Sequence, residues 1–218
     1  MDYIKLIVPP LLQGTVLSLS LFALTLVFAL PLGLPIALGE NSRIGPVRWL
    51  CKGFVYIFRG TPLMLQLFFF YFFFPIYLNI RWDAFPTAVF TFVINYAAYF
   101  AEIYRGGIKG IDKGQYEAAR SLGLSRMQTL RDIMIPQMTR IVLPPVSNEV
   151  ITLIKDTALA SVIALADIMR VAQGIVNRDG RLMAYVAASL IYLFFTFLTT
   201  YVLGRLEKRV SRYEEQAV

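Results

Sequence analysis

No histidine occurs anywhere in the 218 residues, and there is one cysteine. The first absence removes imidazole bases, histidine-ligated metals and the Ser-His and Cys-His nucleophile pairs. The second leaves Cys51 without an intrachain disulfide partner or a companion thiolate for a metal, so it reads as filler. Charge is scarce as well, at 16% of residues. No G-x-x-x-x-G-K-[ST] phosphate loop is present, so the chain lacks that means of binding ATP. Met1-Asp2-Tyr3 has no basic n-region, and no small-residue cleavage site follows a short apolar core, so a removable signal peptide is not expected.

What fills the space is apolar: 57% of residues are hydrophobic and the mean hydropathy is +0.62. This composition predicts an all-α integral membrane protein, one transmembrane domain over residues 1–218, because a lipid-embedded backbone must satisfy its own hydrogen bonds. Five transmembrane helices are expected, at about 11–38, 62–80, 86–104, 137–156 and 182–204. Pro31, Gly33 and Pro35 should kink the first. Asn41 to Gly60, with Arg43, Arg48, Lys52 and Arg59, reads as a cytoplasmic loop anchored by Trp49 and Tyr56. Thr61 with Pro62 reads as the cap and first turn of the second span. Thr157 to Arg181 is expected to be re-entrant or surface-lying, with a sixth span as the alternative.

Lys and Arg set the orientation. The loop after the first span, the stretch from Arg105 to Arg140, and the tail with Arg205, Lys208, Arg209 and Arg212 are basic, which predicts the N-terminus outside and the C-terminus inside. The net charge of +7 is then accounted for by topology and anionic lipid headgroups, with no nucleic acid partner.

One polar island, residues 112–136, interrupts the apolar runs. Asp112 with Gln115 predicts a capped helix that Gly123 closes in a left-handed turn, leaving about ten residues between them. Ser125 with Gln128 caps a second helix that Pro136 should limit. Gln115, Tyr116, Glu117, Ala118, Ala119, Arg120, Ser121 and Leu122 make the first helix, small residues beside bulky ones, too short to stand alone in water and shaped to dock into another molecule.

Glu117-Ala118-Ala119, Gly123 and Ile133-Met134-Ile135-Pro136 resemble the EAA loop of the membrane subunits of ATP-binding-cassette importers, with Ile135 where that family usually has Leu. Gly14-Thr15, Arg59-Gly60-Thr61-Pro62, Ala101 to Gly107 and Lys155-Asp156-Thr157 resemble the polar amino acid branch of those type I importers. The resemblance implies a coupling helix received by a cytoplasmic ATPase subunit, two copies of which carry the ATP and Mg²⁺. It also implies a second copy of this permease or a paralogue, an extracytoplasmic amino acid binding protein, and a bacterial inner-membrane location. The chain itself is expected to hold no cofactor and to be no enzyme.

Polar groups inside spans are costly and so are the functional candidates. Glu149, Thr152 and Asp156 share one face of the fourth span, flanked by Asn148 and Lys155. Thr91, Asn95, Tyr99 and Glu102 form a stripe on the third; Thr15, Ser18 and Thr25 form one on the first. Glu149, Asn95, Thr152, Tyr99 and Ser18 are the substrate-site candidates, Glu149 favouring a cationic side chain. The bland readings are a structural pairing of Glu149 with Lys155 or Arg140, a salt bridge of Asp156 to a nearby base, a Glu102–Arg105 pair, and helix packing for the hydroxyls. Phe68 to Phe74 reads as lipid- or dimer-facing bulk. Two rival functions are an ion-coupled carrier working without an ATPase, disfavoured by the absent inverted repeat, and a Ser-Lys hydrolase using Lys155 with Ser147 or Ser161, whose spacings fit no shared helical face.

Overall fold

The computed structural model describes residues 2–215, with side chains over 3–210, so Arg212 of the basic tail lies outside the described side chains. All regular structure among the described residues is helical: α1 (Asp2–Glu40), α2 (Gly45–Gly60), α3 (Leu63–Tyr77), α4 (Ala84–Gly110), α5 (Lys113–Ser121), α6 (Arg126–Gln128), α7 (Ile135–Asp156), α8 (Ile168–Asp179) and α9 (Met183–Glu215). A π turn, Thr129–Met134, joins α6 to α7, and a 3-10 segment, Thr157–Ile163, extends α7.

Three helices are long and apolar enough to cross a membrane unaided: Tyr3–Glu40, Ala84–Gly110 and Met183–Val210. Two bent pairs pass as units, Gly45–Gly60 with Leu63–Tyr77, bent by 108°, and Arg126–Ile163 with Ile168–Asp179, bent by 56°, so the total by length and composition is three to five. The expected loop over Asn41 to Gly60 is therefore corrected. Arg48, Lys52 and Arg59 sit on an amphipathic helix, α2, with Arg43 in the turn before it, and its other face packs Val55 and Phe58 against Ala98 and Ala101 of α4. Counting cations detects the side of the membrane and is blind to a helix whose apolar face is narrow.

Thr61 does not cap α3. Its hydroxyl bonds back to Ile57 O at 2.9 Å, closing α2, and α3 begins after Pro62, which has no N–H to donate across the junction. The carbonyls left at this break are taken up by side-chain amides: Gln66 Nε2 donates to Phe58 O (3.0 Å) and Thr61 O (3.1 Å), and Asn95 Nδ2 donates to Phe58 O (3.0 Å) and Gln66 Oε1 (2.9 Å). Asn95 lies near the middle of α4, so the break sits beside the middle of the bundle.

α1 and α4 form the central pair. They approach closely because α1 presents Gly33 to Ala97, Phe100 and Ala101: a Cβ at Gly33 would lie 2.8 Å from Phe100 Cβ and 3.1 Å from the Ala101 backbone nitrogen. Small residues at such contacts are what hold helices together in lipid, where the solvent is as apolar as the side chains. α1 runs unbroken through Pro31 and Pro35, and Tyr104 of α4 donates its hydroxyl to Leu30 O at 3.2 Å. Gly33→Val is expected to lower the thermal midpoint of the detergent-solubilised protein by several degrees, an overpacking cost of about 1–3 kcal/mol. Gly53→Ala, in the interior of α2 with nothing within 4 Å, is the control and should leave the midpoint unlowered or slightly raised. An unchanged midpoint for Gly33→Val would mean that this contact is looser than its geometry.

Segment 157–181 is a hooked continuation of α7. After the 3-10 turn, Ala164 turns the chain in the left-handed region (φ 63°), and buried Asp167 caps α8 by accepting from the Arg170 N–H at 2.8 Å. α8 packs between α1 and α9 around Ile7, Leu11, Ile168, Ala172, Ile175 and Ala188. The Phe run of α3 stacks largely on itself and on Phe90, leaving Phe69 and Phe72 more than half exposed.

Candidate functional site: a polar cavity and a helical lever

A cavity of about 580 Å³ opens where the α2–α3 break meets α4 and α7. Four of the five substrate-site candidates line it: Asn95 and Tyr99 from α4, Glu149 and Thr152 from α7. Arg59, Thr61, Tyr96 and Asp156 complete its polar wall. Glu149 and Asp156 stand on one side because they are two helical turns apart on α7; Lys155 is exposed and does not line the cavity. Asn95 is 3% exposed and braces the helix break, so its amide shapes the wall.

Ser18, the fifth candidate, is elsewhere. Its hydroxyl bonds to Gly14 O (3.3 Å) and accepts from the Ile168 N–H (3.3 Å), tying α1 to the start of α8. Thr15 and Thr25 likewise return their hydroxyls to Leu11 O and Leu21 O, so the hydroxyl stripe of α1 serves packing. Asp156 also differs from expectation: instead of a base, its Oδ2 accepts from the Tyr96 hydroxyl at 2.8 Å. Tyr96 is fully buried and holds that carboxylate against the wall. Ser147 is buried with its hydroxyl unpartnered, so no Ser-Lys pair forms with the exposed Lys155.

A second, more open cavity of about 720 Å³ adjoins the first, and Arg59, Thr61 and Tyr99 line both. Its wall is highly charged: Glu40, Lys52, Glu102, Arg105 and Lys109 face it. Glu102 takes a two-nitrogen grip from Arg105, three residues on, and a longer contact from Arg59 at 3.8 Å. The expected Glu102–Arg105 pair is thus present.

The polar island between the apolar helices begins with α5. Asp112 Oδ1 accepts from the Gly114 N–H at 2.6 Å, a simple cap in place of the expected box, because the Gln115 side chain is engaged elsewhere, accepting from Gln137 Nε2 at 3.1 Å. Gly123 is in the left-handed region at φ 76°, with Leu124 N–H reaching back to Ala119 O, so the nine-residue helix ends where the sequence says. The second box is complete, Ser125 with Gln128 bonding in both directions.

Pro136 does not stop the second helix. The π turn puts Ile135 N–H onto Leu130 O, and this wider winding makes room for a proline in the first turn of α7. One winding rod therefore runs from Ser125 to Glu149, about 36 Å at 1.5 Å per residue. On α5, Tyr116, Glu117, Ala118, Arg120, Ser121 and Leu122 are exposed, Leu122 at 80%, whereas Ala119 is buried at 1%. The exposed face of α5 thus takes in one side of the triplet only.

Sequence reasoning does not find Gln66, Tyr96 or Asp156 in these roles. The available signal for Gln66 is an amide inside an apolar run four residues after a proline, the pattern of a helix break satisfied by a side chain.

The family described as binding-protein-dependent transport system inner membrane component matches residues 29–212. The chain is 40% identical over 207 residues to the L-cystine transport system permease protein TcyB of Bacillus subtilis (strain 168), covering 94% of this chain and 88% of that one. It is 37% identical to the glutamine transport system permease protein GlnP of Escherichia coli (strain K12), over 94% of both chains. The arginine transport system permease protein ArtQ of Bacillus subtilis (strain 168) is 36% identical, again over 94% of both. Among solved structures, an amino acid ABC transporter crystallised with histidines matches with a TM-score of 0.88 and 34% identity, covering 95% of this chain and 97% of that chain. An inward-facing MetNI methionine ABC transporter shares the fold alone, at 16% identity and a TM-score of 0.74, over 96% and 98% of the two chains. The all-helical bundle and these likenesses agree: the chain belongs to the binding-protein-dependent transport system inner membrane component family.

Proposed function

We infer that this chain is the membrane-spanning permease subunit of an amino acid ABC importer, and that the 580 Å³ cavity is where the amino acid rests during passage. The observation that carries the reading is the unbroken winding from Ser125 through α7 to Glu149 and Thr152, which starts just past the turn that closes the exposed α5 and ends at the wall of a polar cavity. The relatives support the importer reading, and nothing in them favours an ion-coupled carrier.

Five spans are proposed, the two bent pairs counting as one each, with the N-terminus outside and the C-terminus inside, as the basic residues of α2, the lever and the tail favour. Two cytoplasmic ATPase subunits carry ATP and Mg²⁺ and receive α5 in a surface groove; a second permease copy or paralogue completes the pathway; an external binding protein delivers the substrate. Nucleotide binding draws the ATPase subunits together, α5 follows, and α7 carries the movement to the cavity wall. Such coupling needs a two-state element that both sites bias, and α5 with the rod from Ser125, to which the Gln115–Gln137 bond ties it, is suited to it. The substrate is a polar, most favourably basic, amino acid, because two carboxylates and one guanidinium line the cavity.

Reconstitution tests the scheme. Proteoliposomes holding this chain and its ATPase partner should accumulate labelled amino acid only when ATP is supplied at the lever side, and the chain alone should accumulate none. Accumulation by the chain alone, driven by an ion gradient, would overturn the importer mechanism.

A further inference from the structure

One face of α9 has no partner within the chain. Its other sides pack on α7 and α8, and few of its side chains are buried inside the bundle. Leu190, Phe194, Phe197, Tyr201, Arg205 and Lys208 recur every three or four residues, so they share one stripe of the helix, and all of them are exposed. The stripe changes character within a turn. From Leu190 to Tyr201 it is apolar over about 16 Å at 1.5 Å per residue, close to half of a ~30 Å hydrocarbon layer and so to the depth of one leaflet. Beyond Tyr201 it is cationic. Thr200, Tyr201, Arg205, Lys208 and Arg209 stand around Gly204 and enclose a groove, and nothing lies within 4 Å of where a Gly204 Cβ would sit. The Arg205 guanidinium lies 4.9 Å from the Tyr201 ring centroid and donates to its hydroxyl, which fixes it at the edge of the groove. Among the described residues no carboxylate pairs with Arg205, Lys208 or Arg209.

Three cations without a carboxylate, set just beyond an apolar face one leaflet deep, are complementary to an amphiphile with an anionic head. A soluble anion would satisfy the cations and leave the stripe uncovered; a neutral lipid would cover the stripe and leave the cations unmatched. A phosphodiester accepts from a guanidinium and an ammonium at once, and a tyrosine ring suits the depth at which headgroup meets acyl chain. We propose that the groove at Gly204 holds the headgroup of an anionic phospholipid whose acyl chains lie along Leu190, Phe194 and Phe197. Arg205 and Lys208 contact the phosphate, and Arg209 adds to the field that draws it in. The bare Gly204 lets the phosphate approach the helix, where a side chain would hold it off. The site stands apart from both cavities and does not depend on what they carry.

Basic residues at a helix end also serve orientation alone. Orientation needs only charge near that end; a headgroup site needs the groove as well, and one substitution separates the two. The permease–ATPase complex in detergent is titrated with phosphatidylglycerol, phosphatidylcholine or inorganic phosphate while its thermal midpoint is followed. Phosphatidylglycerol should raise the midpoint by several degrees, with an apparent affinity about tenfold or more above that of phosphatidylcholine. Inorganic phosphate, which cannot cover the stripe, should leave the midpoint unmoved. Gly204→Leu keeps every charge and fills the groove; Arg205→Gln/Lys208→Gln/Arg209→Gln keeps the groove and removes the charge. In detergent alone each should have a midpoint no lower than the wild type, because these side chains face outward, and each should bring the two lipids to within about threefold of one another.

A wild type that answers to neither lipid, as it would if a second permease copy covered the stripe, or equally to both, overturns the proposal. So does a response to inorganic phosphate as large as that to the anionic lipid. Gly204→Leu with the preference intact would reduce the cations to topology, and loss of the ATPase subunit from the triple variant on size exclusion would assign them to that partner; either result overturns the site.

Discussion

Leu122→Asp should abolish ATP-driven uptake while leaving the protein in the membrane. Leu122 is 80% exposed on the isolated chain, beyond the last full turn of α5, and its own N–H is satisfied by Ala118 O and Arg120 O. Nothing in the fold needs its side chain. Burying a leucine in a partner's groove contributes about 1.5–3 kcal/mol, and placing an unpaired carboxylate there costs at least about 1–3 kcal/mol more. Together these weaken docking by about two orders of magnitude or more, at 1.4 kcal/mol per factor of ten. Uptake should fall accordingly, and the partner's ATPase activity should cease to respond to substrate. Wild-type uptake by this variant, with expression and thermal midpoint normal, would show that α5 is not the energy input. An acid at Ala119 would be a poor test, because that side chain is buried against the bundle and the fold itself would suffer.

Glu149→Gln should separate substrates. Thr152, Asp156 and Arg59 remain in place in this variant, so the cavity keeps its shape and loses one negative charge. A charge-assisted contact to a buried or half-buried group is worth about 1.5–3 kcal/mol. Uptake of arginine should therefore drop about tenfold to hundredfold, and uptake of glutamine, which brings no second positive charge, should stay within about threefold. Equal retention of both, or an equal loss of both, would remove Glu149 from the recognition of a cationic side chain.

Much of the fold was legible before any coordinates. Apolar runs with few charges leave helices as the economical answer in lipid, and caps are local chemistry: Ser125 with Gln128, and Gly123 at φ 76°, sit where their side chains and lack of a Cβ require. The Glu149, Thr152, Asp156 face followed from helical period alone. The misreadings share a different cause. Asn41 to Gly60 carries four bases, and a count of cations does not distinguish a loop from an amphipathic helix with its narrow face on Ala98 and Ala101. Pro136 was expected to stop a helix, and a π turn absorbed it; whether a proline ends a helix or is wound around depends on what the rest of that helix must reach.

By itself, then, the order of residues determined the class of the protein, its helical content, the two caps of the polar island and the family to which it belongs, because each of these depends on composition or on neighbours a few positions apart. Only the tertiary structure decided which polar groups meet. Arg59 reaches both cavities, Asn95 and Gln66 repair a helix break, Tyr96 holds Asp156, and Ser18 faces α8, away from both of those cavities. Those pairings join helices separated by 29 to 150 positions in the chain. They depend on how closely α1, α4 and α7 approach, a distance set by Gly33 against Phe100 and Gly107 against Val142, and no local pattern encodes it.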